Sequence, residues 1–327
     1  MTSLDDIQDS ARQAARHWPE IISNPELVMH RENSVFRVEA TDGPHALRLH
    51  RLGYHDDAAL NSELTWMAML ADKGMNVPRP LRTKSGSFLA DVEGGRKASL
   101  LTWLSGAPLG KTGAPLVMAG TARTVTFRNI GAELARMHLL TDGWQIPAGF
   151  QRPSWDVDGL VGDEPFWGKF WEFSSCSIED QRLLAILRNQ CREQLLAFQN
   201  QGGDFGLIHA DLVRENILVD DGEVQFIDFD DCGFGFRMFD IATALIKNIH
   251  ELDFGALQKA LLAGYASVRA LSEFEIDALP LFLTLRSLTY LGWAESRANE
   301  LETAVRATRF LLDVKYVAMT YFKPGLL

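Results

Sequence analysis

The sequence predicts an α+β fold of two lobes, in which a small N-terminal lobe with an antiparallel sheet precedes a mostly helical C-terminal lobe. Short β-prone runs separated by turn residues are frequent up to about residue 105, whereas long helical patterns dominate beyond it. One β-rich island at 206–231 interrupts the helical part. We therefore expect the lobes to comprise residues 1–105 and 106–327, with the boundary near Ser105-Gly106.

Each lobe shows its own periodicities. In the N-terminal lobe, apolar residues at helical spacing alternate with pairs of β-prone runs that are joined by glycine-containing turns. These patterns predict helices at 4–18 and 58–73 and strands at 34–39, 45–50, 87–92 and 97–103. In the C-terminal lobe, helical patterns cover 123–140, 178–201, 239–249, 257–270 and 276–322.

Composition narrows the classes of function. The chain has 32 Lys and Arg against 43 Asp and Glu, a formal charge of −11, and lacks the basic stripe of a nucleic-acid binder. This acidity suits a cationic or neutral small substrate, although it is also ordinary for cytosolic proteins. The scattered cysteines Cys176, Cys191 and Cys232 predict a reducing compartment without disulfides or zinc. With no apolar signal core or membrane-length stretch, we expect a cytoplasmic protein without a membrane partner; its oligomeric state stays open.

The β-rich island holds the most informative residues. Two β-prone runs flank the hairpin turn Asp221-Gly222, and Asn216 and Asp228 each lie six positions from Gly222. A hairpin centred there brings both side chains to its open end. An amide oxygen and a carboxylate form a ligand set suited to Mg²⁺. Asp228 could otherwise be a solvated turn acid, but the apolar strand before it favours the metal site.

Asp211 precedes Asn216 by one short loop, so its carboxylate can face the same ion without binding it. Phosphoryl transfer needs one carboxylate that accepts or orients the proton of the nucleophile, and metal ions that neutralise the phosphates. The spacing is compatible with Asp211 as this carboxylate, and its assignment as catalytic base rests more on the family resemblance described next. His209 is expected to have a structural role in orienting this loop.

The pattern His-x-Asp-x-x-x-x-Asn at 209–216, followed by Ile-Asp-Phe-Asp at 227–230, resembles the kinase catalytic loop and its metal-binding motif. It more closely resembles the aminoglycoside phosphotransferase and choline kinase-like superfamily, near the homoserine kinase type II and bacterial stress-response kinase branches. The resemblance implies a bilobal protein-kinase-like fold. It also implies that Asp240 braces the catalytic loop, although an ordinary acid at a helix N-terminus would look the same.

The chain departs from the family pattern at two places. Ala210 stands where the family usually has Gly, and Val213-Arg214 stands where it often has His-Pro. Arg214 could reach the transferred phosphate or lie at the surface, and we favour the surface.

The resemblance also implies a nucleotide site in the N-terminal lobe. Arg48 occupies the strand position that normally presents a lysine to the phosphates, and Glu63 is its partner on the following helix. Arginine contacts phosphate well, although an ordinary pair between a strand Arg and a helix Glu is the alternative. The turn with Asn33 and Ser34 resembles a phosphate-covering loop. The Thr102 carbonyl and the Leu104 amide are expected to contact adenine.

The acceptor is expected to lie against the late helices. Arg286, Tyr290, Trp293 and Arg297 recur at positions that share one helical face. Such a stripe is often core, but its arginines favour a binding surface. With Asp230 and Asp231, which could equally be loop-surface acids, the stripe would suit a zwitterionic or amino-alcohol acceptor.

These expectations predict an ATP- and Mg²⁺-dependent phosphotransferase that acts on a hydroxyl of a small molecule, such as an amino alcohol, a hydroxy amino acid or a sugar-like acceptor. Two alternatives remain. A Ser/Thr protein kinase of the stress-response type is weakened by the short segment between Asp228 and Asp240. A nucleotide-binding pseudokinase is motivated by Arg48 and the absent Gly-rich loop, but the intact set of Asp211, Asn216 and Asp228 argues against it.

Overall fold

The structure, a computed structural model, describes residues 4–31, 33–118, 120–297 and 301–322, except for the side chains of 301–305. The chain forms two compact units. The first contains the chain up to Ala107 together with Trp144–Arg152 and Gln225–Ile227, and the second contains Pro108–Gly143, Pro153–Val224 and the described residues from Asp228 onward. The chain thus leaves the first unit after Ala107 and returns to it twice. In the described part of the chain, no helix is both long enough and apolar enough to cross a membrane.

The first unit is built on an antiparallel sheet in the order β1-β2-β3-β6-β4, with β5 also paired to β6. Helix α1 packs its buried face against this sheet in one apolar core. The predicted helices and strands of this region are present. Their bounds are α1 (Leu4–Ala15), β1 (Glu26–His30), β2 (Ser34–Ala40), β3 (Gly43–Leu49), α2 (Asp57–Asp72), β4 (Pro80–Leu81), β5 (Ala90–Val92) and β6 (Arg96–Thr102).

The remaining elements are mostly helical, as predicted. The expected helical pattern at 276–322 proves to be several helices, the last followed by a π-helical turn at Ala318–Phe322. The bounds are β7 (Ala107–Pro108), α3 (Thr121–Asp142), β8 (Ser154–Trp155), α4 (Val157–Val161), α5 (Ile178–Asn200), β9 (Phe205–Ile208), β10 (Ile217–Asp220), β11 (Glu223–Phe226), β12 (Gly233–Phe236), α6 (Arg237–Ile246), α7 (Phe254–Ala266), α8 (Glu273–Asp277), α9 (Leu279–Glu295) and α10 (Leu301–Val317).

Two helical contacts position the site of the second unit. Helices α3 and α7 touch backbone to backbone, because a β-carbon at Gly131 or Gly264 would overlap a carbonyl oxygen of the opposite helix. Helix α9 is buried on almost every side, packing between α6 and α10. A helix that is apolar all round lies inside a protein, so a charged residue on it needs a specific partner.

The predicted hairpin of the β-rich island is confirmed. Strands β10 and β11 are hydrogen-bonded neighbours, and the turn between them has positive φ at both central residues, 46° at Asp221 and 84° at Gly222. Positive φ at both positions is the geometry that Asp-Gly favours in a two-residue hairpin. Asn216 lies just before β10, and Asp228 lies two residues beyond β11.

Candidate active site

A buried carboxylate fixes the backbone of the loop that follows β9. Asp240, in the first turn of α6, accepts hydrogen bonds from the amides of His209 at 2.8 Å and Ala210 at 2.7 Å. All three residues are fully buried. Ala210 has a φ of 65°, a conformation that glycine adopts without cost. The carboxylate thus holds an alanine in the backbone geometry that explains the glycine common at this position in the resembling family.

Two further buried residues, His138 and Tyr265, extend the hydrogen-bond network of Asp240. The ring of His138 on α3 lies 3.1 Å from the Asp240 carboxylate through Nε2 and 2.8 Å from the Tyr265 hydroxyl through Nδ1. Burial, assisted by the charge of Arg237 and opposed by Asp240, lowers the pKa of His138 to about 4. The ring is therefore neutral at pH 7, and the Nε2 tautomer donates to Asp240 and accepts from Tyr265.

Asp211 projects from this fixed loop. The side-chain amide of Asn216 donates to its carbonyl oxygen at 2.8 Å and to Oδ2 at 3.0 Å. The guanidinium of Arg286 on α9 donates to Oδ1 at 2.5 Å. The Asp211 side chain keeps 22% of its surface exposed, although both oxygens have partners. Each carboxylate oxygen has two lone-pair sites, so the group can accept a further hydrogen bond from solvent or substrate.

Arg286 is a fully buried cation. Its guanidinium carbon lies over the rings of Tyr290 at 4.4 Å, Trp167 at 4.6 Å and Phe239 at 5.5 Å. Removing a charge from water costs several kcal/mol, which the ion pair with Asp211 and the aromatic faces offset. We expected this arginine to face the acceptor, whereas the structure pairs it with the predicted base.

The preference for a surface position of Arg214 was wrong. Its side chain is only 2% exposed and makes three contacts: Nε to Asn248 at 2.8 Å, Nη1 to the Ala114 carbonyl at 2.6 Å and Nη2 to Glu251 at 2.6 Å. Through these hydrogen bonds, the planar guanidinium links the loop after β9 to the segment after α6. No sequence signal indicated this, because the partners lie between 34 and 100 positions away.

The chemistry of Asn216 and Asp228 fits a divalent cation. The amide nitrogen of the buried Asn216 is directed at Asp211, so its oxygen is the atom left for a cation. Asp228 adopts a φ of 66°, outside the usual range for a non-glycine residue. In the described ranges, no group of three or more His, Cys, Asp or Glu side chains is placed to hold a metal. A two-residue oxygen site is nevertheless typical of Mg²⁺, which keeps waters and takes phosphate oxygens.

In the first unit, the predicted partnership of Arg48 and Glu63 is present. Nη2 of Arg48 on β3 donates to Oε1 of Glu63 on α2 at 2.6 Å, and both side chains are buried. Such a pair needs further hydrogen bonds to offset the loss of hydration, and Glu63 Oε2 has none among the residues that the structure describes.

The other predicted nucleotide residues also belong to the first unit. Asn33 Oδ1 accepts the amide of Arg51 at 2.9 Å, and the buried hydroxyl of Ser34 lies 2.9 Å from the ring of His30. Thr102 ends β6, and its amide donates to the Arg79 carbonyl. Within the described ranges, the Leu104 amide has no backbone hydrogen-bond partner, and its contact with adenine stays a prediction.

The predicted acceptor residues divide into buried and partly exposed members. Tyr290 is 9% exposed and stacks on Phe310 at 5.2 Å, whereas Trp293 is partly exposed. Asp230 is buried and Asp231 is partly exposed. Arg297 lies two residues beyond the end of α9 at Glu295, and its guanidinium carbon is 4.5 Å from the centre of the Trp293 ring.

Known proteins are similar to most of this chain. Residues 11–275 match the sequence model of the phosphotransferase enzyme family abbreviated APH. The chain is 34% identical over 261 residues to a homoserine kinase of Agrobacterium fabrum (strain C58 / ATCC 33970), which covers 76% of this chain and 72% of the relative.

Solved structures of kinases are also similar to this chain. A microcompartment-associated aminopropanol kinase has 30% sequence identity and a TM-score of 0.81, covering 95% of this chain and 96% of its own. An amicoumacin kinase in complex with AMP-PNP, Ca²⁺ and Ami has 20% identity and a TM-score of 0.75, and the match covers 98% of this chain and 95% of its own. At that identity it supports the fold alone.

Proposed function

Because the chain belongs to the phosphotransferase enzyme family, we propose that it transfers the γ-phosphate of ATP to the hydroxyl of an amino alcohol or hydroxy amino acid, with Asp211 as the base. The prediction of a kinase that acts on a small-molecule alcohol is confirmed by relatives named homoserine kinase and aminopropanol kinase. The predicted protein-kinase-like fold is confirmed as well, and nothing among these relatives supports the protein-kinase alternative.

The geometry of Asp211 carries the proposal. Asp240 holds the backbone amides of the two residues before Asp211. Asn216 and Arg286 orient the Asp211 carboxylate, and 22% of its side chain remains exposed. This arrangement suits a group that must receive the proton of an acceptor hydroxyl as the phosphoryl group arrives. Little covalent chemistry is required of the protein, so a fixed orientation is its main contribution.

The finer assignments belong to the same proposal. Asn216 and Asp228 would hold Mg²⁺, which would neutralise the phosphate oxygens of ATP. Arg48, fixed by Glu63, would contact the phosphates, with Asn33 and Ser34 in the covering turn and Thr102 and Leu104 at the adenine. A cytoplasmic location remains a prediction from the cysteine pattern.

The test measures ADP release and phosphorylated product for a set of small hydroxylated amines and amino acids. We expect turnover with at least one of them, and a loss of about 100-fold to 10,000-fold in kcat for Asp211→Asn, as for other general bases. Asp277→Asn, an exposed acid on α8, is the matched control and should leave kcat unchanged. Failure with every acceptor, or an active Asp211→Asn variant, would contradict the proposed function; Mg-ATP binding without turnover would favour the pseudokinase.

A further inference from the structure

A second cation lies close to the catalytic carboxylate. Lys247, at the C-terminal cap of α6, places its ammonium 3.3 Å from the ring centre of Tyr290 and 4.8 Å from that of Phe310. The side chain is partly exposed. In the part of the chain that the structure describes, this ammonium has neither a carboxylate nor a hydrogen-bond partner, unlike the paired Arg286.

The ring of Tyr290 connects this lysine to the catalytic loop. Arg286, which donates to Asp211, lies over the same ring at 4.4 Å. Two polar atoms at this place, Arg286 Nε and the Tyr290 hydroxyl, are buried and lack hydrogen-bond partners among the described residues. Both atoms are closed off by the packing of Arg286 against Tyr290, so the cation on this ring that a ligand can reach is the partly exposed Lys247.

The nearby carboxylates are already engaged. Asp313, Asp211 and Glu215 act electrostatically on Lys247, but the first is bound to His250 at 2.6 Å, the second to Arg286, and the third to Thr112. Burial and the charge of Arg286 lower the pKa of Lys247 to about 7, despite these acids. A ligand anion would therefore supply the charge that the protein does not.

We propose that Lys247 determines specificity by binding an anionic group of the acceptor, a carboxylate, while the acceptor hydroxyl faces Asp211. This inference rests on the proposed function and narrows its acceptor to a hydroxy amino acid. It also assigns the acceptor's carboxylate to Lys247 rather than to Arg286, because the guanidinium of Arg286 is paired with Asp211.

The test compares acceptors that differ only in the carboxylate. The relative's name suggests L-homoserine; 3-amino-1-propanol is the same molecule without the carboxylate, and L-homoserine amide keeps its shape without the charge. We expect the wild type to prefer L-homoserine in kcat/KM. Lys247→Met, which keeps the apolar stem, should raise the KM for L-homoserine about tenfold to a hundredfold. It should change the KM for 3-amino-1-propanol less than twofold, and Lys247→Arg should restore part of the loss.

Lys259→Met, an exposed lysine on α7, is the control and should change neither KM. The assignment of Lys247 would be overturned if Lys247→Met affected both acceptors equally, if it affected neither, or if the wild type preferred 3-amino-1-propanol. None of these outcomes would contradict the phosphotransferase activity. If the wild type phosphorylates neither these three acceptors nor any other amino alcohol, the proposed function itself is contradicted.

Discussion

Replacing Asp240 with Asn tests whether the buried carboxylate holds the catalytic loop. The wild-type side chain accepts three hydrogen bonds, from the His209 amide at 2.8 Å, the Ala210 amide at 2.7 Å and the His138 ring at 3.1 Å. Asparagine has nearly the same shape but only one oxygen. Its NH₂ group must therefore face one of these donors, in a place without solvent.

The cost follows from those contacts. A buried amide that loses its acceptor costs about 1–3 kcal/mol, and the bonds that remain weaken because they no longer involve a charged acceptor. Burial alone would raise the pKa of Asp240, but the hydrogen bonds from His138 and the His209 amide keep it below its usual value. Asp240 is therefore charged in the wild type, and its replacement by Asn removes a charged acceptor. We expect the free energy of unfolding to fall by about 2–4 kcal/mol. A displaced Asp211 should reduce kcat by about 100-fold.

Urea denaturation and steady-state kinetics measure the two effects on one protein preparation. The control is Asp277→Asn, which removes an exposed charge in the same unit and should change the free energy of unfolding by less than about 0.5 kcal/mol. Wild-type stability together with wild-type kcat in Asp240→Asn would refute the role of this carboxylate in positioning the loop.

Three further outcomes are expected. His138 becomes protonated near pH 6.5 in the unfolded chain but only near pH 4 in the folded protein. Its contribution to the free energy of unfolding should therefore fall by about 2 kcal/mol as the pH is lowered from 7 to 5. His138→Gln, unfolded in urea at both pH values, should lose less than the wild type; an equal loss would contradict this. Arg286→Lys, which lacks the planar fork, should lower kcat at least about tenfold with a smaller change in acceptor KM, and the reverse split would show that Arg286 binds the acceptor instead. Asp228→Asn, which tolerates the φ of 66°, should raise the Mg²⁺ concentration for half-maximal activity at least about tenfold, and an unchanged requirement would remove Asp228 from the metal site.

Much of the fold was predictable because its elements carry local signals. Helix α1 and strand β2 show clear periodicities of burial, and Asp221-Gly222 has the residues that a tight hairpin needs. Strand β1 was missed because it is exposed along its whole length and has no alternation. Strand β12 was missed because two of its four residues are glycines, which disfavour a strand in isolation.

Some residues of the candidate site could likewise be predicted from the local sequence, and others could not. Asp211 and Asn216 lie in one short segment, so a local pattern is enough to suggest their roles. His138 and Tyr265 come from α3 and α7, which approach one another only in the folded chain. The one available signal was a histidine among the apolar residues of α3, which more often indicates an ordinary buried histidine than a brace for a catalytic loop.

The local charges of the site also revise an inference from composition. A formal charge of −11 suggested a cationic or neutral substrate, yet net charge governs long-range attraction rather than the contents of one site. The carboxylate of Asp211 is already neutralised by the buried Arg286, and the ammonium of Lys247 lies against the same aromatic ring. A purely cationic acceptor would therefore meet two positive charges at this ring, and the acids near Lys247 already have partners. If Lys247 binds a carboxylate as proposed, a zwitterion can place its own carboxylate there, and we therefore expect a hydroxy amino acid to be preferred over a simple amino alcohol.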